Sequence, residues 1–74
     1  MPNNENQSIN FDWAKNPYVN WICQDSDGEW WAYQDKPVMA DGAWIPSSNS
    51  YWELIESKTP NPNWKETLTA RPEN

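Results

Sequence analysis

The sequence predicts a mainly β fold: a small α+β protein with a three- to four-stranded antiparallel meander and a short C-terminal helix. Two Asp-Gly pairs, at 27–28 and 41–42, lie between apolar runs, as such pairs do in tight hairpins. The runs beside them are short and rich in Trp, Tyr, Val and Ile, which favour strands. A Pro- and Asn-rich break then precedes a helical pattern near the C-terminus.

The first hairpin is predicted from its turn. Residues 18–24 and 29–34 are the expected strands, and 25–28 connect them. Asp25 at the first position and Gly28 at the fourth fit a type I turn whose glycine takes a positive φ as a bulge.

The turn sets which side chains share a face. The three-residue loop pairs Cys23 with Trp31 and Trp21 with Tyr33. One face of the sheet would then carry Val19, Trp21, Cys23, Trp31 and Tyr33. A two-residue Asp-Gly loop would shift the register by one position and place Trp30 on that face instead.

Two more strands complete the predicted sheet, which spans 18–56. The third is 43–46, where Pro46 removes a ladder donor and indicates an edge or a strand end. The fourth is 51–56, in which Trp52 and Leu54 share one face because side chains alternate along a strand.

The C-terminal segment predicts a helix over 64–70. Asn63 followed by Glu66 resembles a capping box. Trp64 and Leu68 are four residues apart and would lie on one helical face. Two turns of helix are too short to stand alone in water, so the helix must dock on the sheet.

The length of 74 residues allows at most one small domain. Residues 1–10 are rich in Asn, Gln and Ser, with Ile9 as the one aliphatic residue, and are expected to be a disordered tail. This leaves a single domain over 11–74 with a linker at 57–63. The chain lacks the cross-links that usually stabilise small domains, since one cysteine forms no internal disulfide and there is no histidine for a zinc site. We expect the seven tryptophans to supply the core instead.

The formal net charge of −6 argues against direct nucleic-acid binding and against anionic membrane surfaces, and it permits a basic partner. The N-terminus lacks the apolar region of a signal peptide, and no apolar run is long enough for a membrane span. We therefore expect a cytoplasmic protein. The sequence does not set its oligomeric state.

The residue types argue against an enzyme. Without histidine the commonest general base and the Ser-His and Cys-His pairs are impossible. Cys23 lies mid-strand, where a buried apolar role is expected. With Gly28 and Gly42 as its two glycines, the chain has no phosphate loop. The stretch 25–29 lacks the spaced ligands of a calcium loop. We expect no catalytic residue, no cofactor and no metal.

Binding is the remaining class, and three partners fit it. A basic protein would suit the acidic turns and exposed aromatics. A flat nucleotide or sugar could stack on paired tryptophans. A proline-rich peptide fits least. The tryptophans echo the rhythm of WW domains, but the usual Trp-x-x-Pro ending is Trp44-Ile45-Pro46 here, and the first loop, basic in that family, is acidic. The candidate partner-binding residues are Trp30, Trp44, Tyr51, Asp25, Asp27 and Glu29.

A structural role for both central tryptophans is the competing interpretation. The helix at 64–70 and the segment 11–17 could cover the two faces of the sheet. Trp31 would then lie in the main core, and Trp30 would lie on the second face under partial cover.

Motifs spread along the chain resemble those of a loose group of short tailed-phage and prophage proteins. These are Asp-Trp at 12–13, Asn-Pro at 16–17, DSDGEWWAY at 25–33, Pro37, Trp44 and NWKETLTARP at 63–72. Thr67 stands where serine is usual. The resemblance spans residues 12 to 72. It implies a phage-encoded protein made inside a bacterium that acts on a host or defence protein, and it transfers no functional residue.

Overall fold

The structure is a computed structural model that describes residues 9–72. The predicted disordered tail falls largely on residues 1–8, outside the described part of the chain. The described residues form strands β1 (Trp21–Gln24), β2 (Glu29–Tyr33), β3 (Val38–Ala40), β4 (Ala43–Ile45), β5 (Trp52–Ser57) and β6 (Thr69–Ala70). They also form 3-10 turns at Trp13–Lys15 and Trp64–Glu66.

The strands form antiparallel sheets, which confirms the mainly β prediction. The main sheet has the order β5-β2-β1-β6, and β3 pairs with β4 in a separate hairpin. The expected strand order of a meander is wrong, because β4 pairs with β3 rather than joining the main sheet. Val38–Ala40 lies just across the Asp41-Gly42 turn and is the nearer partner. The edge of β2 is therefore open to β5.

The predicted register of the first hairpin is confirmed. Cys23 pairs with Trp31, and Trp21 pairs with Tyr33. Gly28 has the expected positive φ, at 97°. Its N–H donates to the Asp25 carbonyl at 3.0 Å, which closes the turn.

The neighbouring tryptophans of β2 lie in two different cores on the two faces of the main sheet. The first core consists of Val19, Ile22, Trp30 and Ala32, with Ile9, Phe11, Trp13 and Ile55 packed against it. The second consists of Cys23, Tyr33 and Trp44, with Trp21, Trp31, Trp64 and Leu68 around it. Val19 therefore packs on the face opposite the one predicted. The expected ranking of the tryptophans is also reversed, since Trp30 is 1% exposed whereas Trp31 is half-buried.

The predicted helix at 64–70 is wrong. A single 3-10 turn forms, and the chain then becomes extended as β6. The Asn63 side chain makes no capping hydrogen bond. Thr67 ends the turn instead: its hydroxyl donates to the Trp64 carbonyl at 2.7 Å and accepts the Gln24 N–H at 2.8 Å. The hydroxyl thus occupies a place in the ladder beside β1, and the open edge of β1 outcompetes an isolated helical turn.

Arg71 fastens the C-terminal segment to the segment before β1. Its guanidinium donates to the carbonyls of Val19 (2.9 Å), Trp13 (3.1 Å) and Asn16. It also lies 5.3 Å from the centre of the Trp13 ring. Phe11 and Trp13 are thereby held on the first core, as the predicted cover over 11–17 requires.

Gly28 lies where two segments approach each other closely. The Lys58 N–H donates to its carbonyl at 3.0 Å. The Gln24 amide donates to the carbonyls of Gly28 and Thr59, both at 3.1 Å. A Cβ on Gly28 would lie 2.1 Å from the Lys58 oxygen, so no side chain fits there. The glycine thus allows the strand that follows the turn to pack against the end of β5.

Candidate functional site

Three carboxylates converge at the first hairpin turn. The side-chain oxygens of Asp25, Asp27 and Glu29 lie within 4.8 Å of one another, and we call this cluster the acidic turn. The Asp27 carboxylate accepts the Glu29 N–H at 3.0 Å, a local bond that fixes the loop. The acidic turn concentrates negative charge at one end of the β1–β2 hairpin.

The β3–β4 hairpin holds the acidic turn in place. The Trp44 N–H donates to the Asp25 carboxylate at 2.8 Å, and the Ser26 hydroxyl donates to the Gly42 carbonyl at 2.6 Å. Burial raises the pKa of Asp25, and the charges of Asp27 and Glu29 raise it further, while the bond from Trp44 lowers it. Asp25 is therefore mainly a structural acceptor, whereas Asp27 is exposed to solvent.

Carboxylates of this kind are the ligands that hard cations prefer. One oxygen of Asp25 and one of Asp27 already accept backbone N–H groups. Local hydrogen bonds thus fix two of the three carboxylates, those of Asp25 and Asp27.

Two of the predicted binding residues, Trp30 and Trp44, lie in the cores. Trp44 is 7% exposed and meets the Trp64 ring edge-on at 6.4 Å. Its carbonyl accepts the Tyr33 hydroxyl at 3.1 Å. We expected both side chains to present an edge to a partner. Their burial shows that this expectation was wrong. The segment from Ile9 to Trp13 covers Trp30, and the β3–β4 hairpin folds Trp44 inward.

Tyr51 is exposed, but it lies away from the acidic turn. It precedes β5, which runs antiparallel to β2. Ser57 at the far end of β5 is opposite Glu29, whereas Trp52 is opposite Tyr33. Tyr51 and the acidic turn therefore mark the two ends of one strand, and β5 is the element between them.

An exposed apolar surface on β5 was not among the predicted binding residues. Trp52 and Leu54 are 48% and 47% exposed, and we call their shared surface the β5 face. Trp31 lies beside Trp52 with the ring centres 5.6 Å apart. The alternation of Trp52, Glu53 and Leu54 was a signal for one apolar face. Its exposure was not predicted, because the helix at 64–70 and the segment 11–17 were expected to cover the two faces of the sheet.

The β3–β4 hairpin carries a second exposed apolar group. Val38 and Ile45 are cross-strand partners, and both are exposed, as is Met39. An open groove of about 520 Å³ runs between the hairpin tip and the second 3-10 turn, lined by Met39, Ala40, Asp41, Gly42, Trp64 and Lys65.

The geometry of the indoles gives no support to stacking of a flat ligand between them. The rings of Trp31 and Trp52 are tilted by 54°, and those of Trp44 and Trp64 by 87°. A flat ligand held between two aromatic faces needs rings that are nearly parallel. Trp30 and Trp31 lie in separate cores and do not form a pair.

Cys23 is fully buried, and burial together with the charge of Asp25 raises the pKa of its thiol. Such a thiol is a packing group rather than a nucleophile. Among the described residues, no helix has the length and apolar character needed to cross a membrane. Comparison with protein-family models, curated proteins and solved structures gave no significant match. A function must therefore be inferred from the residues exposed at the surface.

Proposed function

We propose that this chain is a non-enzymatic protein that binds a basic protein partner. The observation that carries the proposal is the β5 face, where Trp52 and Leu54 are half-exposed on a strand that also carries Glu53 and Glu56. Aromatic side chains are enriched at the centres of protein interfaces. Glu53 and Glu56 lie on the opposite face of the same strand, opposite Ala32 and Trp30, and their charge favours a basic partner.

The acidic turn adds to this surface. Glu29 pairs with Ser57, so the cluster with Asp25 and Asp27 lies at one end of β5. A net charge of −6 extends the attraction beyond the contact residues. The resemblance to phage proteins gives the partner a context: a bacterial host or defence protein met in the cytoplasm.

The test is capture from a bacterial lysate with the full chain as bait, followed by binding measurements on the purified partner. Trp52→Ala and Leu54→Ser should each weaken binding, because they remove apolar side chains from the β5 face. Tyr18→Ala is the matched control, since Tyr18 is also exposed but precedes β1. Binding should weaken as salt rises, because salt screens exposed charges.

Two results count against the proposal. One is the capture of no stoichiometric protein. The other is a partner whose affinity is unchanged by salt and by both β5 substitutions.

A further inference from the structure

Within residues 9–72, the β5 strand is an open edge of the main sheet. It pairs with β2 on one side, and it ends the strand order on the other. Edge strands present unpaired backbone N–H and C=O groups that another strand can use. The edge of β1 at the opposite side of the sheet is already paired with β6.

The backbone groups that face outward belong to Trp52 and Leu54. The Gln34 N–H donates to the Tyr51 carbonyl at 2.8 Å, so the backbone of Tyr51 faces β2. Backbone direction alternates along a strand, and the N–H and C=O of Trp52 and Leu54 therefore point away from the sheet. The two exposed apolar side chains and the free backbone groups lie on the same residues.

A bulge limits the usable edge. The register shifts between Trp30 and Trp31, so that Trp30 pairs with Glu56 and Trp31 pairs with Leu54. Ile55 is the extra residue, and it packs against the first core. The regular stretch of open edge is therefore Trp52–Leu54.

We infer that this edge accepts an extended strand of a partner protein in which basic and apolar residues alternate. The inference rests on the proposed function and specifies its mode. Apolar partner residues would lie beside Trp52 and Leu54, and a Lys or Arg would lie beside Glu53. Strand addition of this kind draws affinity from backbone hydrogen bonds and specificity from alternate side chains.

Charge distinguishes a basic partner from a second copy of this chain. Pairing of two β5 strands would bring Glu53 and Glu56 of one copy close to those of the other. Like charges that face each other across strands are destabilising. The same two side chains are therefore a barrier to self-association and an attraction for a basic strand.

The experiment uses a capped peptide of alternating Val and Lys as the probe and follows the amide NMR signals of the full-length chain. The peptide should shift the amide signals of Trp52, Glu53 and Leu54. Glu53→Lys should weaken binding by about tenfold or more, since it places like charges in contact. Glu66→Lys makes the same change in net charge on the second 3-10 turn, and it should have less than about a twofold effect.

A second peptide separates strand pairing from charge alone. N-methylation of alternate peptide amides keeps the Lys charges and removes the donors that pairing requires. The methylated peptide should not shift the signals of β5. Equal binding of both peptides, or shifts confined to residues 25–29, overturns the strand mode and leaves the proposed function standing if lysate capture depends on Trp52 and Leu54.

Two further outcomes also overturn the strand mode. One is the absence of any shift at millimolar peptide. The other is self-association of the wild-type chain through β5, seen as concentration-dependent changes at Trp52 and Leu54. Failure of lysate capture refutes the broader proposal independently, because that experiment uses no designed peptide.

Discussion

Replacement of Trp30 by alanine should prevent the protein from folding. Trp30 is the largest fully buried side chain, at 1% exposed, and it packs with Val19, Ile22 and Ala32 in the first core. Truncation of a buried large aromatic to alanine costs about 3–5 kcal/mol. A core of this size supplies about 3–5 kcal/mol of net stability. The loss therefore equals the free energy that holds the chain folded.

Two substitutions control for the loss of an indole. Trp52→Ala makes the same chemical change at a half-exposed site and should cost about 1 kcal/mol, a Tm shift of about 4–8 °C. Trp30→Phe keeps most of the apolar contact and should stay folded with a lowered Tm. Thermal unfolding followed by circular dichroism, together with urea titrations, would measure all three variants.

Trp31→Ala provides the sharpest comparison. Trp31 is half-buried in the second core, so its truncation should cost less than that of Trp30. If Trp30→Ala folds cooperatively with a Tm near that of the wild type, or if Trp31→Ala is the more damaging change, the assignment of the two cores is refuted.

Four further predictions follow from particular contacts. Gly28→Ala should cost more than about 2 kcal/mol, because its Cβ meets the Lys58 oxygen at 2.1 Å in addition to a positive φ. Gly42→Ala, whose Cβ makes an ordinary contact with the Ser26 hydroxyl oxygen at 3.5 Å, should cost about 1–2 kcal/mol in urea unfolding. Equal costs would contradict the close approach at Gly28. Arg71→Lys should cost about 1–3 kcal/mol by the same assay, since an ammonium cannot donate to three separated carbonyls, and a loss below about 0.5 kcal/mol would show that the contacts are dispensable. Cys23 should react with a thiol reagent only after denaturation, and rapid labelling of the folded protein would disprove its burial. Burial raises the pKa of Asp25 above 3.8, so its stabilising contribution is present below that pH and is lost as the pH rises through the raised value. Asp25→Asn should therefore raise Tm near neutral pH and match the wild type in acid, and a lower Tm at neutral pH would be the opposite result.

Local chemistry made the first hairpin predictable. Asp25 and Gly28 specify the turn, and the turn fixes the register of the two strands. The register in turn assigned Trp31 to the face of Cys23 and left Trp30 on the other face. The register and the faces of Trp30 and Trp31 needed no information from distant parts of the sequence, whereas Val19, which lies before β1, packs on the face opposite the predicted one.

The strand order depended on long-range competition. Residues 43–45 could have extended the main sheet, but a neighbouring strand at 38–40 pairs with them first. β5 then takes the free edge of β2. To choose among such pairings, one must compare the energies of complete strand arrangements. Local sequence patterns do not contain that information.

The predicted C-terminal helix does not form, for a related reason. A capping pattern and a four-residue apolar spacing favour helix in isolation, yet β1 had an unpaired edge. Thr67 and the strand Thr69–Ala70 satisfy that edge. Tertiary pairing outweighed a weak local preference.

The candidate site was predictable in its charge and not in its apolar part. The carboxylates at 25, 27 and 29 converge because one turn carries all three. The burial of Trp30 and Trp44, and the exposure of Trp52 and Leu54, depend on which segments cover each face. Residues 9–13 and the β3–β4 hairpin are the segments that cover these faces. Local sequence patterns did not predict their positions well enough to rank the tryptophans by burial.

The residues that carry the resemblance to phage proteins have structural roles. Asp12 accepts the Lys15 N–H and shapes the first 3-10 turn, and Trp13 receives the Arg71 guanidinium, so the two distant ends of the motif set meet in space. Gly28 closes the first hairpin. The β5 strand lies outside every one of these motifs. These motif residues therefore shape the fold, whereas the exposed side chains of the β5 face lie outside the motifs.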